Sequence, residues 1–243
     1  MKVTEIFESI QGEGIYTGAD TTFVRFAGCS TGCARCDTMY AWDPDSGEDY
    51  DPDRLFLTLG GMRPTKICLT GGEPLEQDPI QLAKLVSSLG RHDFDIHVET
   101  CGLVYPTDDI LAHVDFWTIS PKLSSMEPLT TIQPLQLQTL YYDIWDKGSS
   151  CGQMKFVVDT EDDVVQAKRL MVEALSDEYD WPLVLQPLNR DPRPTIAPSL
   201  IDYVDYFNQM KKLKTWAEIY FDEYDWRVLP QLHYLMWAGA KGI

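Results

Sequence analysis

Cys29-Ser30-Thr31-Gly32-Cys33-Ala34-Arg35-Cys36 places three thiols within eight residues. Steps of four and then three residues put them on one tight loop that can wrap a single compact centre. The count of three is informative. A structural zinc site closes with four protein ligands, and a disulfide framework pairs its cysteines evenly. A four-iron cluster held by three thiolates keeps one iron free for a substrate or cosubstrate. Two other readings stand beside this one. Cys33 and Cys36 alone could form a thioredoxin-like redox pair, and Cys29 with a distant fourth ligand could complete a zinc site. The other cysteines offer zinc little help: Cys68 sits in an apolar strand-like run, Cys101 follows another, and Cys151 lies in a Gly/Ser turn. Each reads as a structural cysteine.

The chain around the loop is of globular composition. It has 243 residues, 44% of them hydrophobic, which suits one barrel-like α/β domain with a real core. No run of about 18 apolar residues occurs, so no membrane span is expected. The N-terminus lacks the apolar core of a signal peptide. Clustered free cysteines without an export signal predict a cytoplasmic protein. A net charge of −18 argues against direct nucleic-acid binding, which needs a basic face. The acidic stretch at 43–53 and the two Asp-Glu-Tyr-Asp segments at 177–180 and 222–225 read as solvated surface.

Short strand signals rich in β-branched and apolar residues fall at 22–27, 66–70, 95–100, 116–120, 153–158 and 183–186. Helical patterns fall at 80–89, 108–112, 135–146 and 162–175, with 199–211 and 228–237 after the last strand. The strands read as continuous apolar runs, which suits a parallel sheet covered on both faces. Residues 42–54 read as a polar Asp/Pro-rich loop replacing a crossover helix. The expected architecture is a partial (β/α)6 barrel reduced in helices. It forms one domain over 1–243, with an N-terminal extension (1–20) and a C-terminal cap (199–243). Metabolite sites in such folds lie at the C-terminal strand ends. The cysteine loop, Gly71-Gly72-Glu73 and Ser120-Pro121-Lys122 all fall there.

Gly71-Gly72 after a strand removes two side chains, so backbone can approach a ligand closely, and Glu73 then adds a carboxylate. Alone this is an ordinary strand-to-helix turn. After the three-cysteine loop it resembles the GGE motif with which radical S-adenosylmethionine (SAM) enzymes bind SAM. Further elements follow in order: Glu8-Ser9-Ile10-Gln11-Gly12-Glu13-Gly14, Phe23-Val24-Arg25, Cys36-Asp37-Thr38, His97-Val98-Glu99-Thr100, Gln186-Pro187 and Leu229-Pro230-Gln231-Leu232-His233. Together they make the chain resemble the 7-carboxy-7-deazaguanine synthase family of radical SAM enzymes, from about residue 5 to the end.

The resemblance implies a conversion of 6-carboxy-5,6,7,8-tetrahydropterin to 7-carboxy-7-deazaguanine and ammonia, in queuosine-type 7-deazapurine biosynthesis. It implies that Cys29, Cys33 and Cys36 hold a 4Fe-4S cluster. Arg35, Asp37, Gly71, Gly72, Glu73, Ser120, Pro121, Lys122, Gln186 and Asn189 are then expected around SAM. Ile10, Gln11, Gly12, Glu13, Arg25, Thr70 and the terminal carboxylate of Ile243 are expected around the substrate, and Thr38 on a magnesium ion. A homodimer and an electron donor such as flavodoxin or ferredoxin are implied too. Chemistry supports parts of this. A guanine-like ring needs acceptors facing its N–H groups, for which Glu13 or Glu99 could serve. A substrate carboxylate suits the fork of Arg25. His97 and His233 read as packed or hydrogen-bonded residues. One departure stands out: Arg35 occupies the position before the third cysteine where many radical SAM proteins carry an aromatic ring over adenine. A guanidinium can stack there instead.

Two rival functions make different demands. A glycyl-radical activating enzyme would need a protein partner and has no use for the Gln11-Gly12-Glu13-Gly14 stretch. A zinc-binding module would give colourless protein and leave the GGE and Ser-Pro-Lys motifs without a task.

Overall fold

The computed structural model describes residues 1–149, 151–175, 179–189 and 199–237. Among these residues nine strands form one sheet: β1 (Lys2–Ile10), β2 (Asp20–Phe26), β3 (Glu48–Asp49), β4 (Lys66–Gly71), β5 (Asp95–Thr100), β6 (Phe116–Ile119), β7 (Gly152–Val158), β8 (Leu183–Pro187) and β9 (Trp226–Val228). Their spatial order is β3-β1-β2-β4-β5-β6-β7-β8-β9. From β2 to β9 every neighbouring pair is parallel, while β1 runs antiparallel to both β2 and β3. The run β2-β4-β5-β6-β7-β8 is the expected partial (β/α)6 barrel.

Helices α1 (Pro52–Gly60), α2 (Pro79–Gly90), α3 (Asp108–Leu111), α4 (Pro134–Lys147), α5 (Glu161–Leu175), α6 (Leu200–Tyr220) and α7 (Leu232–Trp237) complete the fold. Asp78 caps α2 by accepting from Ile80 N and Gln81 N, and Pro79 starts it, since the first helical N–H needs no partner. Leu82, Leu85, Val86 and Leu89 then share one buried face. These side chains join Val24, Leu69, Val98 and Trp117 in a core between sheet and helices.

The structure corrects some sequence expectations and extends others. The stretch at 42–54 does lead into a crossover helix: Asp51 accepts from Arg54 N at 2.8 Å, Pro52 opens α1, and Leu55 and Leu59 are fully buried. Asp and Pro serve loops and helix starts alike, which is why this one read as a loop. The extension contains β1, and α6 continues to Tyr220. Of the segment expected as a helix at 228–237, α7 covers 232–237, while Val228 closes β9, whose three residues are too short to show a period. The strands are buried on both faces, yet their inner face is polar. Register aligns Arg25 with Thr70, Glu99 with Thr118, Thr118 with Gln153, and Lys155 with Val184. The row Val24, Leu69, Val98 and Trp117 turns outward to the helices. At the N-terminal end of the strands, His97 is packed as expected, with ring centroids 4.7 Å from Tyr16 and 5.1 Å from Phe116.

Candidate active site

The cysteine loop leaves β2 through Gly28, at φ +98°, and is tied down on both sides. Ser30 N donates to Glu76 at 2.9 Å. Arg35 reaches Asp159 at 3.1 Å and Glu127 at 3.5 Å, pinning the loop to the segments after β7 and β6. Cys33 is buried and Cys29 and Cys36 are half-buried. Burial pushes the Cys33 thiol up to about 11 against the pull of Lys122, and burial with Asp37 pushes Cys36 up as well. The Thr38 hydroxyl lies 3.3 Å from Cys36 Sγ, and Thr38 N donates to the same sulfur at 3.4 Å.

The glycine pair after β4 makes room for backbone. Gly72 N donates to Phe26 O at 2.9 Å and Glu73 N to Gly28 O at 2.8 Å. A Cβ on Gly72 would occupy the space of the Gly28 carbonyl. The end of β4 therefore lies flush against the root of the cysteine loop. Glu73 is buried and accepts from Thr100 Oγ1 at 2.7 Å, Cys101 N at 2.8 Å and Leu75 N at 3.2 Å. Burial raises its pKa in spite of these donors. Cys101 lies nearer the cysteine loop than its place in the sequence suggested, with Thr31 Oγ1 3.3 Å from its sulfur.

One cavity of about 250 Å3 opens at the C-terminal ends of the strands. Cys29, Cys33, Arg35, Cys36, Asp37, Thr38, Gly71, Gly72, Glu73, Ser120, Lys122 and Asn189 line it from the side of the cysteine loop. Ile10, Gln11, Gly12, Glu13, Arg25, Thr70 and Glu99 line it from the other. Of the remaining residues named from the sequence, Pro121 and Gln186 do not line it. Gln186 is fully buried in β8, and its amide makes no hydrogen bond among the described residues. Ile243 lies outside the described residues.

The substrate-side wall is a connected network. Gln11 Nε2 donates to Glu99 Oε1 at 3.0 Å, and Thr70 Oγ1 to Glu99 Oε2 at 3.1 Å. Glu13 N donates to Gln11 Oε1 at 3.0 Å, and the Glu13 carboxylate accepts from Gln231 Nε2 at 2.9 Å and pairs with Lys155. Gly14, at φ +69°, lets this loop turn down onto Gln153, which accepts from Ile15 N at 2.9 Å. Arg25 gives its Nε to Glu5 at 3.2 Å and sits beside the rings of Phe7 and Tyr40.

Lys155 escaped the sequence reading, and Gln231 and His233 were read only as part of the 229–233 motif, with no place in the cavity. His233, expected as packing, has its ring close to Glu13 and Asp37, and the donor atoms of these three lie within 4.8 Å of one another. Lys155 had a weak signal, a lysine inside an apolar strand run, which asks for a buried partner.

Comparison with known proteins agrees with this geometry. The family described as a 4Fe-4S single cluster domain matches residues 10–119. A 7-carboxy-7-deazaguanine synthase of Pyrobaculum aerophilum is 31% identical over all of this chain and 97% of its own length. That of Bacillus subtilis is 32% identical, covering 99% of this chain and 98% of its own. The chain belongs to the 7-carboxy-7-deazaguanine synthase family. The crystal structure of QueE from Escherichia coli shares the fold, with a TM-score of 0.64 and 22% identity over 96% of this chain and 94% of that one. A cluster-binding family suits the donor set here, three thiols on one loop facing one cavity. No helix among the described residues is long and apolar enough to cross a membrane.

Proposed function

We propose that this chain is the radical SAM enzyme that converts 6-carboxy-5,6,7,8-tetrahydropterin to 7-carboxy-7-deazaguanine, releasing ammonia. The observation that carries this reading is the meeting, in one cavity, of the three cysteine thiols with the Gln11–Glu13 loop, Arg25 and Glu99. When bound, the cluster and SAM supply a 5′-deoxyadenosyl radical that can take hydrogen from carbon 6 of the substrate. The chain's own residues bind and orient. Cys29, Cys33 and Cys36 are assigned to the cluster. Arg35, Asp37, the Gly71–Glu73 turn, Ser120, Pro121, Lys122 and, beyond them, Gln186 and Asn189 are assigned to SAM or its support.

Arg25 is assigned to the substrate carboxylate. Its Nε is engaged by Glu5, while its terminal nitrogens make no hydrogen bond among the described residues. Glu13 and Glu99 offer acceptors to the ring's N–H groups, with Ile10, Gln11, Gly12 and Thr70 completing that wall. Phe7 and Phe23, stacked 5.1 Å apart, add an apolar surface that displaces water. Ring contraction with loss of one nitrogen as ammonia is redox-neutral overall, so the protein needs no stoichiometric oxidant.

Magnesium is assigned to the Thr38 hydroxyl, with water and substrate oxygens completing its shell. Asp37, next to Thr38 in the chain, brings a carboxylate to the same side of the cavity. A flavodoxin- or ferredoxin-type donor, a homodimeric state, a cytoplasmic setting and a single domain spanning 1–243 complete the proposal. Anaerobic incubation with SAM, reductant, magnesium and the carboxytetrahydropterin, followed by mass spectrometry, tests it. The expected product is 7-carboxy-7-deazaguanine; SAM cleavage without that product would overturn the substrate assignment.

A further inference from the structure

Lys155 is a buried cation of the barrel interior. Its side chain is 6% exposed, it stands on the inner face of β7, and it reaches into the cavity from beneath the Gln11–Glu13 loop. Its ammonium is paired with Glu13 and lies in the field of Glu99. A lysine so placed loses its hydration, a cost that only a fixed anionic partner offsets. Glu13 is half-buried, its side chain 15% exposed, with Gln231 on its other oxygen.

The two wall carboxylates are thus held differently. Among the described residues Glu99 is bonded by neutral donors, Gln11, Thr70 and the Cys68 thiol, whereas Glu13 carries the direct ion pair. We propose that Lys155 is the positioning residue that keeps Glu13 an acceptor-only carboxylate, so that the cavity selects a ring edge that donates hydrogens over one that accepts them. This inference rests on the pterin reading of the site.

The electrostatics point the same way. Burial alone would raise the Glu13 pKa, and the charges of Lys155 and His233 hold it well below the ordinary carboxylate range. The groups facing the pair are Glu99 from β5, Asp37 after the cysteine loop, His233 from α7 and Tyr206 from α6. Without the ammonium, burial opposes ionisation of Glu13 and only His233 and the Gln231 amide are left to favour it. A buried glutamate without a cation can titrate as high as about 8–9. At neutral pH it would then carry a proton, and its O–H could donate to a ring oxygen as readily as its other oxygen accepts from an amino group.

The test uses holoenzyme with SAM and magnesium but no reductant, so that binding is read without turnover. Two fluorescent probes differ in the group at ring carbon 2, a change that also turns N1 from an acceptor into an N–H donor: 6-carboxypterin, with a 2-amino donor, and 6-carboxylumazine, with a 2-oxo acceptor. Wild type is expected to prefer the pterin by roughly tenfold or more, the scale of one charge-assisted hydrogen bond. Lys155→Met should lose that preference at neutral pH and recover it as pH rises above about 9, where Glu13 ionises without its partner. Recovery at high pH is a readout that general structural damage would not give.

An unchanged preference in Lys155→Met at neutral pH would overturn the inference. So would an equal loss of both probes with no recovery at high pH, which would mean that Lys155 holds the shared carboxylate. If Lys155→Met does not fold, Glu13→Gln decides: loss of the preference at every pH supports the inference, and retention overturns it. Binding of neither probe by wild type, read before any variant is made, would overturn the pterin reading and this inference together.

Discussion

Arg25 and Glu5 face each other across the β1–β2 pair, Arg25 Nε donating to Glu5 Oε2 at 3.2 Å. Tyr40 donates to the same oxygen at 3.1 Å. Glu5 thereby fixes the plane of the guanidinium from one edge and leaves the opposite edge to the cavity. A lysine offers a point charge and no plane. Arg25→Lys should weaken apparent substrate affinity by roughly 10- to 100-fold, in line with a charged hydrogen bond pair, and leave SAM binding unchanged. Steady-state kinetics with varied pterin and varied SAM separate the two; an unchanged KM for the pterin would count against the assignment.

Alanine at Cys29, Cys33 or Cys36 should abolish cluster assembly, whereas Cys68→Ala, Cys101→Ala and Cys151→Ala should keep full iron content. Cys101 is the demanding control because its sulfur contacts Thr31 of the loop. Iron and sulfide analysis of anaerobically reconstituted protein reads the result. Loss of iron in Cys101→Ala as complete as in Cys33→Ala would mean a fourth ligand.

Thr38→Ala should leave iron content and SAM binding intact but abolish the stimulation of turnover by magnesium, since alanine offers a hard cation no oxygen. Thr38→Ser should restore it. Equal magnesium stimulation in wild type and Thr38→Ala would place the ion elsewhere on the wall.

Gly72→Ala should destabilise the fold by about 1–3 kcal/mol, because the new methyl must displace the Gly28 carbonyl at the root of the cysteine loop. Iron should be lost faster on dilution into chelator. A melting temperature and chelation half-time equal to wild type would show that the β4 turn can retreat without cost.

Asp95 bonds His97 at 3.0 Å and pairs with Lys66, and these partners lower its pKa from 3.8 to about 2. A depressed carboxylate adds stability that is present above its unfolded pKa and is lost as pH falls through the folded one. Asp95→Asn should therefore melt below wild type at neutral pH, with the gap closing between about pH 4 and pH 2. Asp95 is half-exposed, so the gap should be small. A gap independent of pH would point to packing as the cause.

The cysteine loop and the six parallel barrel strands were legible from the chain itself, while the resemblance to the family supplied most of the residues that line the cavity. Those features are local: ligand spacing is read within eight residues, and apolar strand runs bounded by turn residues within ten. Elements without a local period escaped. β9 is three residues long and exists because β8 offers it an edge. The capped start of α1 used the same Asp and Pro that mark loops.

Only the tertiary structure decided which polar side chains meet. Lys155, Gln231 and His233 come from β7, the segment before α7, and α7 itself, more than 130 residues from the Glu13 they surround. No spacing rule connects them. The barrel closes those distances by strand register, and once Glu13 is buried its charge requires a buried cation within reach. The glycines of the β4 turn show the same division. Their presence was legible as a demand for close approach, but what approaches, the Gly28 carbonyl, follows from packing β4 beside β2.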